Sequence, residues 1–231
     1  MLQHLKQNSN CIKMNKIFIG YDSRESICYD VCKFSIYENT KKNVEIIPIK
    51  LDEIANIYKR EKDPLAATEF SYSRFLVPFL CDYKGIALFC DCDFIFIDDI
   101  SSLFELADEK YAVMCCQHDY KPTATHKMDN RVQHLYPRKN WSSLILWNCN
   151  HPKNKLVTPY LVNTQSGQYL HRFTWLDDSE IGSIPIEWNW LVGWYKEPLD
   201  GKPKALHFTE GGPWLDNYKD CEYNSVYKQY K

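Results

Sequence analysis

Two aspartates, Asp91 and Asp93, stand one residue apart inside the apolar run Leu88-Phe89-Cys90-Asp91-Cys92-Asp93-Phe94-Ile95-Phe96-Ile97. Burying a carboxylate without a partner costs roughly several kcal/mol even after relaxation. On a locally extended chain, residues i and i+2 face the same side, so these two carboxylates repel each other unless a cation lies between them. Carboxylate oxygens suit Mg²⁺ or Mn²⁺, and such an ion can bridge the two phosphates of a diphosphate. The competing structural reading has one aspartate capping a turn and the other solvated.

The elements around this pair must bring it to the end of a strand. Lys16–Gly20 (KIFIG) reads as a short buried strand. A helix follows, with Ile27, Cys28, Val31, Cys32, Ser35 and Ile36 on one small or apolar face. Asp22 and Glu25 ahead of it have capping-box spacing. Val44–Ile49 (VEIIPI) is a second strand, which Pro48 assigns to an edge or an end. Asp52–Tyr58 fits a short helix, and Thr68–Cys81 looks helical with a break near Pro78. Gly85–Cys90 is a continuous apolar run ending at Asp91. Ser101–Leu106 is a short helix, and Tyr111–Cys116 and Ser143–Trp147 are further buried strands. Strands alternating with helices and buried on both faces predict one α/β domain with a largely parallel central sheet flanked by helices. Ligands of such sheets gather at the carboxyl ends of strands. The polar stretch from Gln117 to Ser142, about 25 residues, is long for a plain connection and reads as a substrate-facing loop. Residues 1–13 read as a flexible extension and 14–231 as the domain.

Several ordered pieces, from Met14 to Trp214, resemble glycosyltransferases of the GT-A fold, especially the glycogenin-like and lipopolysaccharide-type enzymes of family 8. FIGYDSRE resembles the first strand and nucleotide-contacting turn, SYSRFLVP the helix with an arginine near the phosphates, and GIALFCDCDFIFIDDI the strand with its D-x-D. SSLILWN is similar to the inner strand beside the sugar pocket, LDDSEIG to the acidic segment near the donor sugar, and LHFTEGGPW to the closing histidine loop. The resemblance implies Mn²⁺ or Mg²⁺ held by Asp91, Asp93 and His207. It implies donor contacts from Gly20, Tyr21, Asp22, Tyr72, Arg74, Asp91, Cys92, Ser143, Gly211 and Gly212, with Asp177 and Asp178 at the reacting sugar carbon. The implied reaction moves a hexose-type sugar from a UDP-linked donor to a hydroxyl acceptor such as a glycan, with retention of configuration as the family default.

The residues keep plainer readings beside these. Asp22 can cap a helix, Arg74 can pair with Asp91 instead of a diphosphate, His207 can be a structural histidine, and Asp177 and Asp178 can be solvated acids at a helix start. The chain also departs from the family. Its closing loop has Gly212 where a phosphate-binding lysine is usual, and glycine amides at 211 and 212 are the available replacement. The usual glutamine of the acidic segment is absent, and Asp178 stands about there. A haloacid dehalogenase-type phosphatase would carry its D-x-D on the first strand with a hydroxyl residue where Ile95 stands. A nucleotidyltransferase would want a glycine-rich basic loop where GYDSRE stands. A nucleotide-sugar binding module without turnover is the remaining alternative.

A formal net charge of −2 argues against a general polyanion binder, so nucleic acid is not an expected partner. Ten cysteines without a C-x-x-C pattern point to reduced thiols and a cytoplasmic protein, with peripheral membrane contact left open. No apolar stretch is long enough for a transmembrane segment, and the polar start gives no expectation of a signal peptide.

Overall fold

Strands numbered in chain order are β1 (Asn15–Gly20), β2 (Val44–Ile49), β3 (Ile86–Cys90), β4 (Phe94–Phe96), β5 (Val113–Cys115), β6 (His126–Lys127), β7 (Arg131–Val132), β8 (Leu144–Asn148), β9 (Ile181–Ser183), β10 (Trp190–Leu191) and β11 (Ala205–His207). The helices are α1 (Ser26–Asn39), α2 (Val77–Leu80), α3 (Ser101–Glu105), α4 (Pro159–Thr164), α5 (Gly167–His171) and α6 (Asn224–Tyr230). The computed structural model describes residues 14–61, 63, 66–119, 126–127, 131–132, 138, 141–196 and 202–231. The N-terminal extension and most of the polar loop therefore lie outside the described residues.

Six strands form the main sheet in the order β2-β1-β3-β8-β5-β9. Five of them run one way, and β8 runs against both β3 and β5. Ala87 to Cys90 of β3 are inaccessible to solvent, with β1 on one side and β8 on the other. Their continuous apolar character follows from burial on both faces. Pro48 sits on the edge strand β2, where a missing N–H breaks no ladder. Beyond β3 the chain turns at Asp91–Asp93 and enters a second sheet of order β10-β11-β4. The aspartate pair is thus the joint between two sheets.

Helix α1 buries Cys28, Tyr29, Val31, Cys32, Ser35 and Ile36. Ile27 is exposed instead of joining this face. It lies five residues from Cys32, about 140° away around the helix, while Tyr29 turns inward and meets the Tyr21 ring edge-on at 5.5 Å. Pro78 does not break a helix. It stands in the first turn of α2, where its missing N–H would have no partner in any case. Asp52–Tyr58 forms successive turns, not a helix. Trp147 of β8 stacks on Trp175 with ring centroids 6.4 Å apart.

Candidate active site

Because β3 is fully buried, Asp91 emerges at a fixed point. Its N–H bonds to Ser143 O at 2.9 Å, just ahead of β8. Cys92 turns into the core, where burial pushes its thiol well up, so it packs and offers no ligand. Asp93 comes out on the same side as Asp91 and meets β11. There His207 stands opposite Phe94 in register, and its ring stacks on the Phe94 ring at 4.3 Å. Ligand atoms of Asp91, Asp93 and His207 all lie within 4.8 Å of one another. Two hard carboxylates and one imidazole at that spacing fit a divalent cation such as Mn²⁺ or Mg²⁺. His207 Nε2 is 3.4 Å from Asp93 Oδ1, and its Nδ1 is 2.8 Å from Asn189 Oδ1.

Arg74 locks the other carboxylate. Its Nη1 donates to Asp91 Oδ1 at 2.6 Å and to Ser142 O at 2.9 Å. The guanidinium lies between the Phe70 and Phe89 rings, with centroids 5.2 and 5.1 Å away. Ser142 Oγ in turn is 2.7 Å from His171 Nδ1, which places α5 beside this pair. Neither Ser142 nor His171 announced itself in sequence. Their only signal is contact across the fold, 29 residues apart.

The remaining expected contacts are partly met by the protein itself. Asp22 is almost fully buried and accepts from Arg24 N at 3.0 Å, Arg24 Nε at 2.8 Å, Arg24 Nη2 at 2.5 Å and Glu69 N at 3.2 Å. Burial alone would raise its pKa, but the hydrogen bonds from Arg24 and from the backbone outweigh it and hold the carboxyl below its ordinary range. Capping is therefore a role Asp22 does perform. Tyr21 presents its ring to Lys50, 5.0 Å from the centroid. The Tyr72 hydroxyl donates to Asp63 at 2.5 Å, with Arg60 stacked 3.9 Å over the ring. Gly20 admits the Phe70 ring, which a Cβ would meet at 2.3 Å. Ser143 Oγ accepts from Asn189 Nδ2 at 2.9 Å.

At the closing loop, Gly211 donates its N–H to Phe208 O at 2.9 Å, so that amide is already engaged. Gly212 lies under Trp214, and a Cβ there would come within 2.0 Å of the indole. Packing alone thus requires glycine at 212.

Asp177 and Asp178 are not brought to the cluster. Asp177 forms a capping box with Glu180 ahead of β9, its carboxylate 3.7 Å from Lys153, and Asp178 pairs with Arg138. In register, Ile181 stands level with Val113, Trp147 and Ala87, near where the parallel strands begin. Asp91 follows where β3 ends.

A histidine outside these expectations, His118, is 5% exposed and has its Nδ1 2.8 Å from the Tyr195 hydroxyl. Burial, reinforced by neighbouring His207, outweighs a hydrogen bond with the Asn189 side chain and lowers its pKa to about 3. Between that value and the unfolded value near 6.5 the unfolded chain binds more protons, so stability rises with pH across this window and is lost as pH falls. At pH 5.5 the loss amounts to about 1 kcal/mol. His118→Gln is expected to remove this part of the acid sensitivity, as read by denaturant unfolding at pH 7.5 and 5.5 in chelator. An unchanged pH dependence would place the His118 pKa near its ordinary value.

The six-stranded sheet, the joint at Asp91–Asp93 and the second sheet carrying His207 together make the GT-A fold of glycosyltransferases. The bifunctional glycosyltransferase WbbM matches with a TM-score of 0.62 at 15% identity, covering 94% of this chain and 52% of that one. The galactosyltransferase LgtC, solved with donor and acceptor sugar analogues, matches with a TM-score of 0.56 at 11% identity over 93% of this chain and 94% of its own. This chain thus spans about half of the WbbM structure. It belongs to the family of Protein CDI of Arabidopsis thaliana, with which it is 53% identical over 218 residues, 92% of this chain and 84% of that protein. No family model matches it. Among the described residues no helix is long and apolar enough to cross a membrane.

Proposed function

We propose that the protein is a metal-dependent glycosyltransferase. It takes a hexose-type sugar from a nucleotide-linked donor, UDP-sugar first among the candidates, and delivers it to a hydroxyl acceptor such as a glycan with retention of configuration. The observation that carries this reading is the Asp91–Asp93–His207 donor set at the joint of a GT-A fold. Its support comes also from LgtC, whose structure holds a donor and an acceptor sugar analogue.

A divalent cation held by the three ligands would bind the donor diphosphate and offset the charge of the leaving group. The chain's own groups complete that task. Arg74 is oriented by Asp91 and Ser142, and its Nη2 has no hydrogen bond among the described residues, so two N–H groups remain for a phosphate. The Gly212 amide takes the place of the family's lysine. In a retaining transfer the departing phosphate oxygen can accept the proton of the incoming hydroxyl, so a separate protein base is not required. Stabilisation of the sugar cation by Asp177 or Asp178 requires the turn ahead of β9 to close toward the site, because both carboxylates are largely exposed in the conformation described.

The test is a screen of nucleotide-sugars for slow hydrolysis in water with Mn²⁺ and with chelator, recording the anomeric form released. The expected result is turnover of a UDP-sugar that needs the ion and retains configuration. Tight Mn²⁺-dependent binding with no hydrolysis and no transfer would assign a binding module instead.

A further inference from the structure

We infer that Asn189 is a positioning residue: it sets the tautomer of His207 and so aims the Nε2 lone pair at Asp91 and Asp93. This rests on the metal reading of that cluster. Asn189 closes the 3-10 turn Ile186–Asn189 directly before β10, and it is completely buried. Strand β10 runs beside β11 with Leu191 opposite His207, which puts the Asn189 amide behind the imidazole.

The amide stands with its oxygen toward the histidine. Asn189 Nδ2 donates to Ser143 Oγ at 2.9 Å, and Asn189 Oδ1 faces His207 Nδ1 at 2.8 Å. A carbonyl oxygen only accepts, so the hydrogen belongs on Nδ1 and Nε2 keeps its lone pair. That is the form a metal ligand needs. Ligating histidines commonly donate their second N–H to an oxygen, which fixes the ring and raises its basicity. The Phe94 ring, stacked at 4.3 Å and 17°, fixes the plane as well.

Ser143 adds a connection between the two ends of the cluster. Its carbonyl accepts from Asp91 N at 2.9 Å while its hydroxyl accepts from Asn189. The backbone that presents Asp91 and the amide that orients His207 are thus held by one residue. The amide turned over would bring its NH₂ to Nδ1 and move the ring hydrogen to Nε2, where it would point at Asp93 and oppose a cation.

Imidazole ¹⁵N–¹H correlation spectra of the labelled, metal-free protein under mildly alkaline conditions read the tautomer directly. The expected form is Nδ1–H for His207, and an Nε2–H form would overturn the inference. Calorimetry then compares Mn²⁺ binding. Asn189→Leu is expected to weaken it by about 10- to 100-fold, and Asn189→Asp, which still accepts from Nδ1, is expected to retain it. Equal affinity in the Leu variant and the wild type would also overturn it. If the Leu variant does not fold, the wild-type tautomer and the Asp variant still decide. Absence of Mn²⁺ binding by the wild type defeats the metal reading by itself, whereas the tautomer spectrum is recorded without metal and judges Asn189 separately.

Discussion

Asp93→Asn is expected to lower Mn²⁺-dependent hydrolysis of the nucleotide-sugar by about 10³-fold or more, with the fold intact. A lost ligand charge removes several kcal/mol of stabilisation from the departing diphosphate, and about 4 kcal/mol corresponds to that factor. Folding survives because the structural bond at this position is made by the backbone: Phe208 N donates to Asp93 O at 3.0 Å. In chelator the variant is expected to melt no lower than the wild type, since its neutral amide relieves repulsion with Asp91. Calorimetry of UDP with and without Mn²⁺ is the direct measure. Equal UDP affinity of the wild type in both conditions would remove the metal from the mechanism.

The parts of this arrangement that a sequence displays are those fixed by short-range rules. The apolar runs of β1, β3 and β8 are strands because both faces are buried, and the aspartate pair stood out because carboxylates are costly in such a run. Strand direction was not visible. The run Leu144–Asn148 carries no mark that it opposes its neighbours, so a β8 antiparallel to β3 and β5 emerged only from the register. His207 depended on resemblance, because one histidine in an apolar stretch has no spacing that singles it out. Ser142 and His171 meet across 29 residues, beyond any periodic pattern. Asp177 and Asp178 are the reverse case. Their composition suggested chemistry, while register and capping give them a turn ahead of β9.

Arg74→Met is expected to have the largest effect on stability and to separate the two roles open to this residue. Arg74 is 4% exposed, and the substitution would leave the Asp91 carboxylate and Ser142 O without the donors they now have at 2.6 and 2.9 Å. Removing one partner of a buried ion pair costs about 3–5 kcal/mol. For a domain of this size that corresponds to a melting point roughly 6–20 °C lower. Mn²⁺ should recover part of the loss, because a cation at Asp91 replaces the missing positive charge, and the metal-induced rise in melting temperature should exceed that of the wild type. UDP affinity in saturating Mn²⁺ should nevertheless fall by roughly 10- to 100-fold, the worth of a charged hydrogen bond to phosphate. Those two shifts have opposite signs because Arg74 competes with the cation for Asp91 but cooperates with it on the diphosphate. If UDP binding in Mn²⁺ is unchanged in a variant that melts lower, Arg74 serves only to hold Asp91, and the charge on the leaving group is met by the ion and the Gly212 amide without it.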